Sequence, residues 1–185
     1  MDDLTELLGR MQCGDVSARD ALFSAAYPEL RRLAHARLRD GGRNTVLDTT
    51  ALVHESYLRF VHSGALRADH RRAFFAYASQ VMRSVIVNLA RERQAQKRGG
   101  NWQPVTLSTD IAEGIGGDEE AVLKVHEALD LLEQIDSRLA QVTTMRYFGG
   151  YTEEEIAQTL DVGTRTVRRS WEQARLMLQV IFKQL

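Results

Sequence analysis

Four arginines, Arg165, Arg168, Arg169 and Arg175, stand with Thr164 and Thr166 on a segment whose apolar residues Val167, Trp171, Ala174, Leu178 and Ile181 fall on the opposite helical face. The guanidinium is a planar fork that meets a guanine edge or a phosphate with parallel hydrogen bonds, so this is chemistry suited to a nucleic acid. Just upstream, Thr152-Glu153-Glu154-Glu155 has the spacing of a capping box, with the Thr152 hydroxyl set for the amide of Glu155 and the Glu155 carboxylate set to reach back. A short helix to Leu160, the turn Asp161-Val162-Gly163 and a longer helix from Thr164 make a helix-turn-helix plan. In that plan the second helix enters the major groove and the first braces it on the backbone. A helical hairpin with a solvated basic face would carry the same residues.

The elements that must position these arginines are all helical. Ala121, Val122, Val125, Leu129 and Leu132 mark one helix, and Leu139, Val142, Met145 and Phe148 mark another, closed by Gly149-Gly150. Upstream, Phe74, Phe75, Ala78, Val81, Met82, Val85 and Leu89 share one face of a helix from about His70 to Lys97. Asp48 can cap a helix through Phe60, and Ser17 one that carries Leu22, Phe23, Ala26, Leu30 and Leu33, with Pro28 expected to kink or restart it. A short helix from about Asp3 to Gln12 comes first. Between the sets, residues 99–118 are rich in glycine and lack periodicity, which reads as a flexible linker. The expected fold is all-α, with small helical domains at 1–98 and 119–185, the second containing the helix-turn-helix.

The 185 residues carry 24 Lys and Arg against 25 Asp and Glu, but the charge is not spread evenly. Residues 1–104 hold 16 basic against 11 acidic residues, while 105–185 hold 8 against 14, and the excess of base is densest from Arg67 to Arg98. That asymmetry favours a polyanionic partner, and it allows the acidic stretch Asp110 to Glu120 and the acidic half behind it either to follow a channel that nucleic acid later occupies or to contact the basic domain. The lone Cys13 excludes an internal disulfide or a cysteine zinc site. His54-Glu55 lacks the second histidine of a zinc hydrolase because Leu58 stands there. With no nucleophile elbow and no phosphate-cradling glycine loop, neither an enzyme nor a cofactor or metal site is expected. No apolar run is long enough for a membrane span and the first residues are not those of a signal peptide, so the expected location is cytoplasmic.

Tyr147-Phe148-Gly149-Gly150-Tyr151-Thr152-Glu153-Glu154-Glu155-Ile156-Ala157, followed by Thr166-Val167-Arg168-Arg169-Ser170-Trp171, resembles the C-terminal promoter-reading domain of bacterial sigma factors. Thr49 to Arg59, with Phe74 to Ala78 and Arg91 to Gly100, resembles the N-terminal domain of the extracytoplasmic-function (ECF) group of the sigma-70 family. The resemblance implies a dissociable subunit of RNA polymerase that recognises promoters and helps open them, its partners being core polymerase, through the β′ clamp and β flap, and promoter DNA. An anti-sigma factor is a further candidate partner.

Carried over residue by residue, the resemblance assigns Leu52, Glu55, Tyr57, Leu58 and Arg59 to core binding, although internal packing is an equal reading for Leu52, Tyr57 and Leu58. It assigns Arg67, His70, Arg71, Arg72, Gln80, Arg83, Ser84, Asn88, Arg91 and Arg98 to the minus-10 element. Phe74 or Tyr77 would offer a stacking face there, though Phe74 lies on the apolar stripe and core packing is favoured for it. Thr164, Arg165, Thr166, Arg168, Arg169 and Arg175 are assigned to the minus-35 element. The sequence departs from the family pattern at Asp161, where glycine is usual, at Gly163, where a serine cap is common and Thr164 is expected to take over, at Ala51, and at Trp171-Glu172. The rival reading is a stand-alone helix-turn-helix regulator that binds DNA as a symmetric dimer.

Overall fold

The computed structural model describes residues 3–40, 46–63, 68, 70–97 and 119–184, and among these every regular element is an α-helix. In chain order they are α1 (Asp3–Gln12), α2 (Val16–Asp40), α3 (Val46–Ser63), α4 (Arg71–Lys97), α5 (Glu119–Ile135), α6 (Ser137–Tyr147), α7 (Glu153–Leu160) and α8 (Thr164–Phe182). Residues 99–118, read from sequence as the linker, lie outside the described residues.

Several helix starts differ from the sequence reading. Asp15, not Ser17, caps α2: its carboxylate accepts from the amides of Ser17 and Ala18 at 3.0 and 3.3 Å. Ser17 serves instead as a donor to that carboxylate, through its hydroxyl at 2.6 Å, and this bond together with Arg10 lowers the Asp15 pKa to about 2. Two donors converging on a carboxylate favour its charged form, so the cap stays charged across the range in which carboxylates normally titrate. Asp48 sits two residues inside α3, which begins at Val46. Pro28 does not restart α2, which continues through it as one helix of 25 residues. The proline offers no amide to the Ser24 carbonyl, a local loss that the buried Ala26, Leu30 and Leu33 around it outweigh.

In the first set, α1 packs on α2, α2 on α3 and α3 on α4. Leu8, Leu22, Leu33, Leu52, Met82 and Leu89 are fully buried there. In the second set, α5 packs on α6 and α8, and α7 closes against α8, around Leu129, Leu132, Met145, Phe148 and Ile156. Each such side chain contributes about 1.5–3 kcal/mol by leaving water.

The two sets also pack on each other, because α4 has a second buried face. Phe75, Ser79 and Arg83, at i, i+4 and i+8, turn towards α5, α6 and the loop that follows α6. The Tyr151 hydroxyl donates to the Phe75 carbonyl at 3.0 Å, and burial pushes its phenol pKa far up. Gly149 lies against Ser79 so closely that a Cβ there would fall 2.6 Å from the Ser79 hydroxyl. Tyr151→Phe is expected to cost about 1 kcal/mol in a urea melt, the value of one buried hydrogen bond whose carbonyl acceptor is left without that donor. Three ion pairs flank this seam: Arg83 with Asp130 at 2.6 Å, Arg72 with Asp161 at 2.8 Å and Arg32 with Glu155 at 2.5 Å. The acidic half therefore does meet the basic one, through these three acids, while Asp110 to Asp118 lie outside the described residues.

Candidate nucleic-acid interface

The α7–α8 pair is set by local chemistry. Both bonds of the capping box form: Glu155 N donates to Thr152 Oγ1 at 3.2 Å, and Thr152 N donates to Glu155 Oε2 at 2.9 Å. Thr152→Ala removes the first of these, and a loss of about 1 kcal/mol in chemical denaturation is expected. At the other end of α7, Asp161 takes the left-handed conformation at φ 56, ψ 48, the only positive φ at a non-glycine among the described residues. Aspartate is among the few side chains that enter this region at modest cost, and here its carboxylate is also held by Arg72. The turn thus keeps the backbone that glycine would give. The expectation that Thr164 caps α8 is not met: Gly163 is the cap residue, with no side-chain cap bond, and Thr164 is the first helical residue.

All six residues singled out on α8, Thr164, Arg165, Thr166, Arg168, Arg169 and Arg175, are exposed. Behind them Val167, Ser170, Ala174, Leu178 and Ile181 are buried, which fixes the rotation of the helix. Glu153 ties three helices together, accepting from Arg146 of α6 at 3.0 Å and from Arg168 of α8 at 3.2 Å. The Arg146 bond is the main cause of its lowered pKa; burial opposes it, and Arg168 adds to the lowering. Arg168 is 65% exposed, and an ion pair so placed is worth less than about 1 kcal/mol, so a phosphate or base edge can take the guanidinium over. Trp171 is half-buried rather than fully inward, and the Arg146 guanidinium lies 4.7 Å from its ring centroid.

On α4 the selected residues fall into two groups. Gln80, Ser84 and Arg91 are exposed and Asn88 is half-buried, all on one side of the helix. Arg72 and Arg83 are instead engaged by the second set of helices, and Arg83 is only 6% exposed. Arg71 pairs with Glu29 and stacks over Phe75 at 5.2 Å. His70 caps α4, its Nδ1 accepting from Ala73 N at 3.0 Å. Phe74 is buried in the core against Phe60, while Tyr77 is half-buried. Arg67 and Arg98 lie outside the described residues.

The α3 residues are mostly committed to internal contacts. Leu52 is fully buried. Tyr57 stacks on Phe23 at 4.2 Å and donates to Asp20 at 2.7 Å, the bond that chiefly raises its pKa. Arg59 bridges α3 to α4: it pairs with Glu55 at 3.5 Å and donates to Ser84 at 2.8 Å. With the Asn88 amide oxygen turned towards it, it donates there too, at 2.8 and 2.9 Å. Leu58 remains 47% exposed. Sequence reasoning missed Asp130 and His126, which hold Arg83, and Glu29 and Glu155, which hold Arg71 and Arg32; no local pattern marks them, because each lies across the fold from its partner.

No described helix is long and apolar enough to cross a membrane, and no metal-holding group of three or more His, Cys, Asp or Glu occurs among the described residues. The class these features define is an all-helical protein with an exposed arginine face on its last helix and a polar stripe on its longest. A family model for ECF sigma factors matches residues 1–184, and the chain belongs to that family. Its members bind core RNA polymerase and promoter DNA in transcription initiation, and they are not enzymes. No curated protein matches the chain, and no solved structure does.

Proposed function

We propose that this chain directs core RNA polymerase to particular promoters, with residues 119–185 reading the minus-35 element and residues 1–98 reading and melting the minus-10 element across a linker at 99–118. The observation that carries this reading is the family match over essentially the whole chain. The exposed face of α8 supports the minus-35 assignment as a helix-turn-helix recognition helix, and the stripe Gln80, Ser84, Asn88 and Arg91 supports the minus-10 assignment. Flipping a base out of the stack costs a few kcal/mol, which the half-buried Tyr77 ring beside this stripe would recover by stacking and the arginines by charge.

Arg72 and Arg83 reach DNA in this reading only after α4 parts from α5 and α7, so core binding includes separation of the two sets of helices. Leu58, exposed on α3, leads the contacts with the β′ clamp, and the second domain meets the β flap. The protein works in the cytoplasm, where these partners are, and an anti-sigma factor is its expected regulator. Pull-down of purified core polymerase, followed by run-off transcription on fragmented genomic DNA, tests the assignment. Saturable core binding with new discrete start sites is the expected result. A footprint by the protein alone on a palindrome, without core binding, would replace it with a stand-alone regulator.

A further inference from the structure

The seam between α4 and α5 is built around one buried cation. Arg83 Nη2 faces three acceptors: Asp130 Oδ1 at 2.6 Å, the His126 carbonyl at 2.9 Å and His126 Nδ1 at 2.7 Å. Its buried Nε has no hydrogen-bond partner among the described residues, and its guanidinium carbon lies 5.9 Å from the centre of the Phe148 ring. Arg83 Nη2 can only donate, so a ring nitrogen 2.7 Å from it must face it with a lone pair and not with a proton. Nδ1 of imidazole has a lone pair in one protonation state alone, so the geometry requires a neutral ring with its proton on Nε2, the nitrogen 3.6 Å from Asp130.

We propose that His126 makes the seam between α4 and α5 a pH-sensitive latch, closed while its imidazole is neutral and released when it is protonated. Protonation turns the acceptor into a second donor and sets a positive ring against the guanidinium it had held. The charged groups facing the ring are Arg83 and Arg91 from α4, and Asp130 and Glu127 from its own helix. Burial and the two arginines disfavour the charged ring more than the two acids favour it, so in the closed chain its pKa lies below the ordinary 6.5. The open chain then binds the proton more tightly than the closed one. Closure is therefore fully supported above pH 6.5, and that support is lost as the pH falls from there towards the lower, closed-state value. Every tenfold weakening of proton affinity on closing gives a tenfold higher open-to-closed ratio at the acid end.

This inference stands apart from the reading as a promoter-recognition factor, and its test uses neither polymerase nor DNA. Small-angle scattering of the full chain from pH 8 to 5.5, with far-ultraviolet dichroism on the same samples, reads closure and helix content together. The expected radius of gyration is about 16 Å at the alkaline end, that of a compact chain of this length, rising as the pH falls while helicity holds. His126→Gln, which keeps an acceptor but does not titrate, should stay closed throughout, and His126→Asn gives the same reading should the first variant misfold. In parallel, the imidazole Cε1–H signal lost in His126→Gln should titrate below the ordinary histidine range. An unchanged radius in the native protein, expansion only with loss of helix, or an identical pH response in the variants would each overturn the latch.

Discussion

Gly149→Ala is expected to destabilise the protein by about 1–3 kcal/mol, the usual penalty for forcing an extra carbon into a packed interior. The built Cβ would lie 2.6 Å from Ser79 Oγ, 2.7 Å from the Met145 carbonyl oxygen and 2.8 Å from Tyr151 Cδ2. Only the first of these atoms can swing away cheaply. The Met145 carbonyl belongs to the last turn of α6 and accepts from Tyr151 N at 3.2 Å, and the Tyr151 ring is fixed by its bond to the Phe75 carbonyl. For a chain of this size the loss corresponds to a fall of roughly 2–12 °C in melting temperature. Adding Ser79→Ala should restore a fraction of it by removing the nearest contact. Gly9→Ala is the control: nothing lies within 4 Å of a Cβ there, and it sits within α1, so a gain of about 0.5–1 kcal/mol is expected. Equal melting curves for Gly149→Ala and the native protein would mean that the approach of α6 to α4 is looser than described.

The largest functional effect is expected from Arg168→Ala combined with Arg169→Ala. A bidentate arginine–base contact is worth about 1–3 kcal/mol of discrimination, so losing two should lower promoter-specific run-off transcription by about 30-fold or more at fixed salt. Adjacent arginines on one helix couple, so the double variant need not equal the product of the single ones. Affinity for core polymerase should not change, since both side chains are exposed and neither packs inside the set of helices α5 to α8. The slope of binding against salt concentration separates two roles. An arginine on a phosphate weakens all promoters alike and lowers the slope by about one, whereas an arginine on a base edge relaxes specificity at one position. A parallel loss of core binding would reject the assignment.

What the sequence made legible was whatever is settled within one or two turns of helix. The Thr152–Glu155 box joins residues three apart, and the inward stripe of α8 repeats every three or four, so both could be read without knowing the fold. The start of α2 was misplaced by two residues because Asp15 and Ser17 are both good caps and only geometry decides between them. The outward appearance of α4 was misread for a different reason. A helix with apolar residues on one face is taken to show its charges to water, and Arg83 looked like such a charge. Its partners lie 43 and 47 residues away, on another helix, and nothing near Arg83 announces that they will arrive. Arg59 is a similar case at shorter range: its pair with Glu55 lies within one turn of α3, while its bond to Ser84, 25 residues on, depends on how α3 meets α4.

The order in which a ribosome delivers this seam has a consequence for the nascent chain. Phe75, Ser79 and Arg83 are synthesised well before Tyr151, the residue that caps their face with its hydroxyl. At ordinary translation rates of about 5–20 residues per second, that face of α4 waits roughly 4–15 s for its cover. An unbroken apolar stripe exposed for so long invites association with other chains. A guanidinium on that face is soluble while it waits, and it becomes a binding group once Asp130 and His126 emerge, so the one charge serves the unfinished protein as well as the finished one.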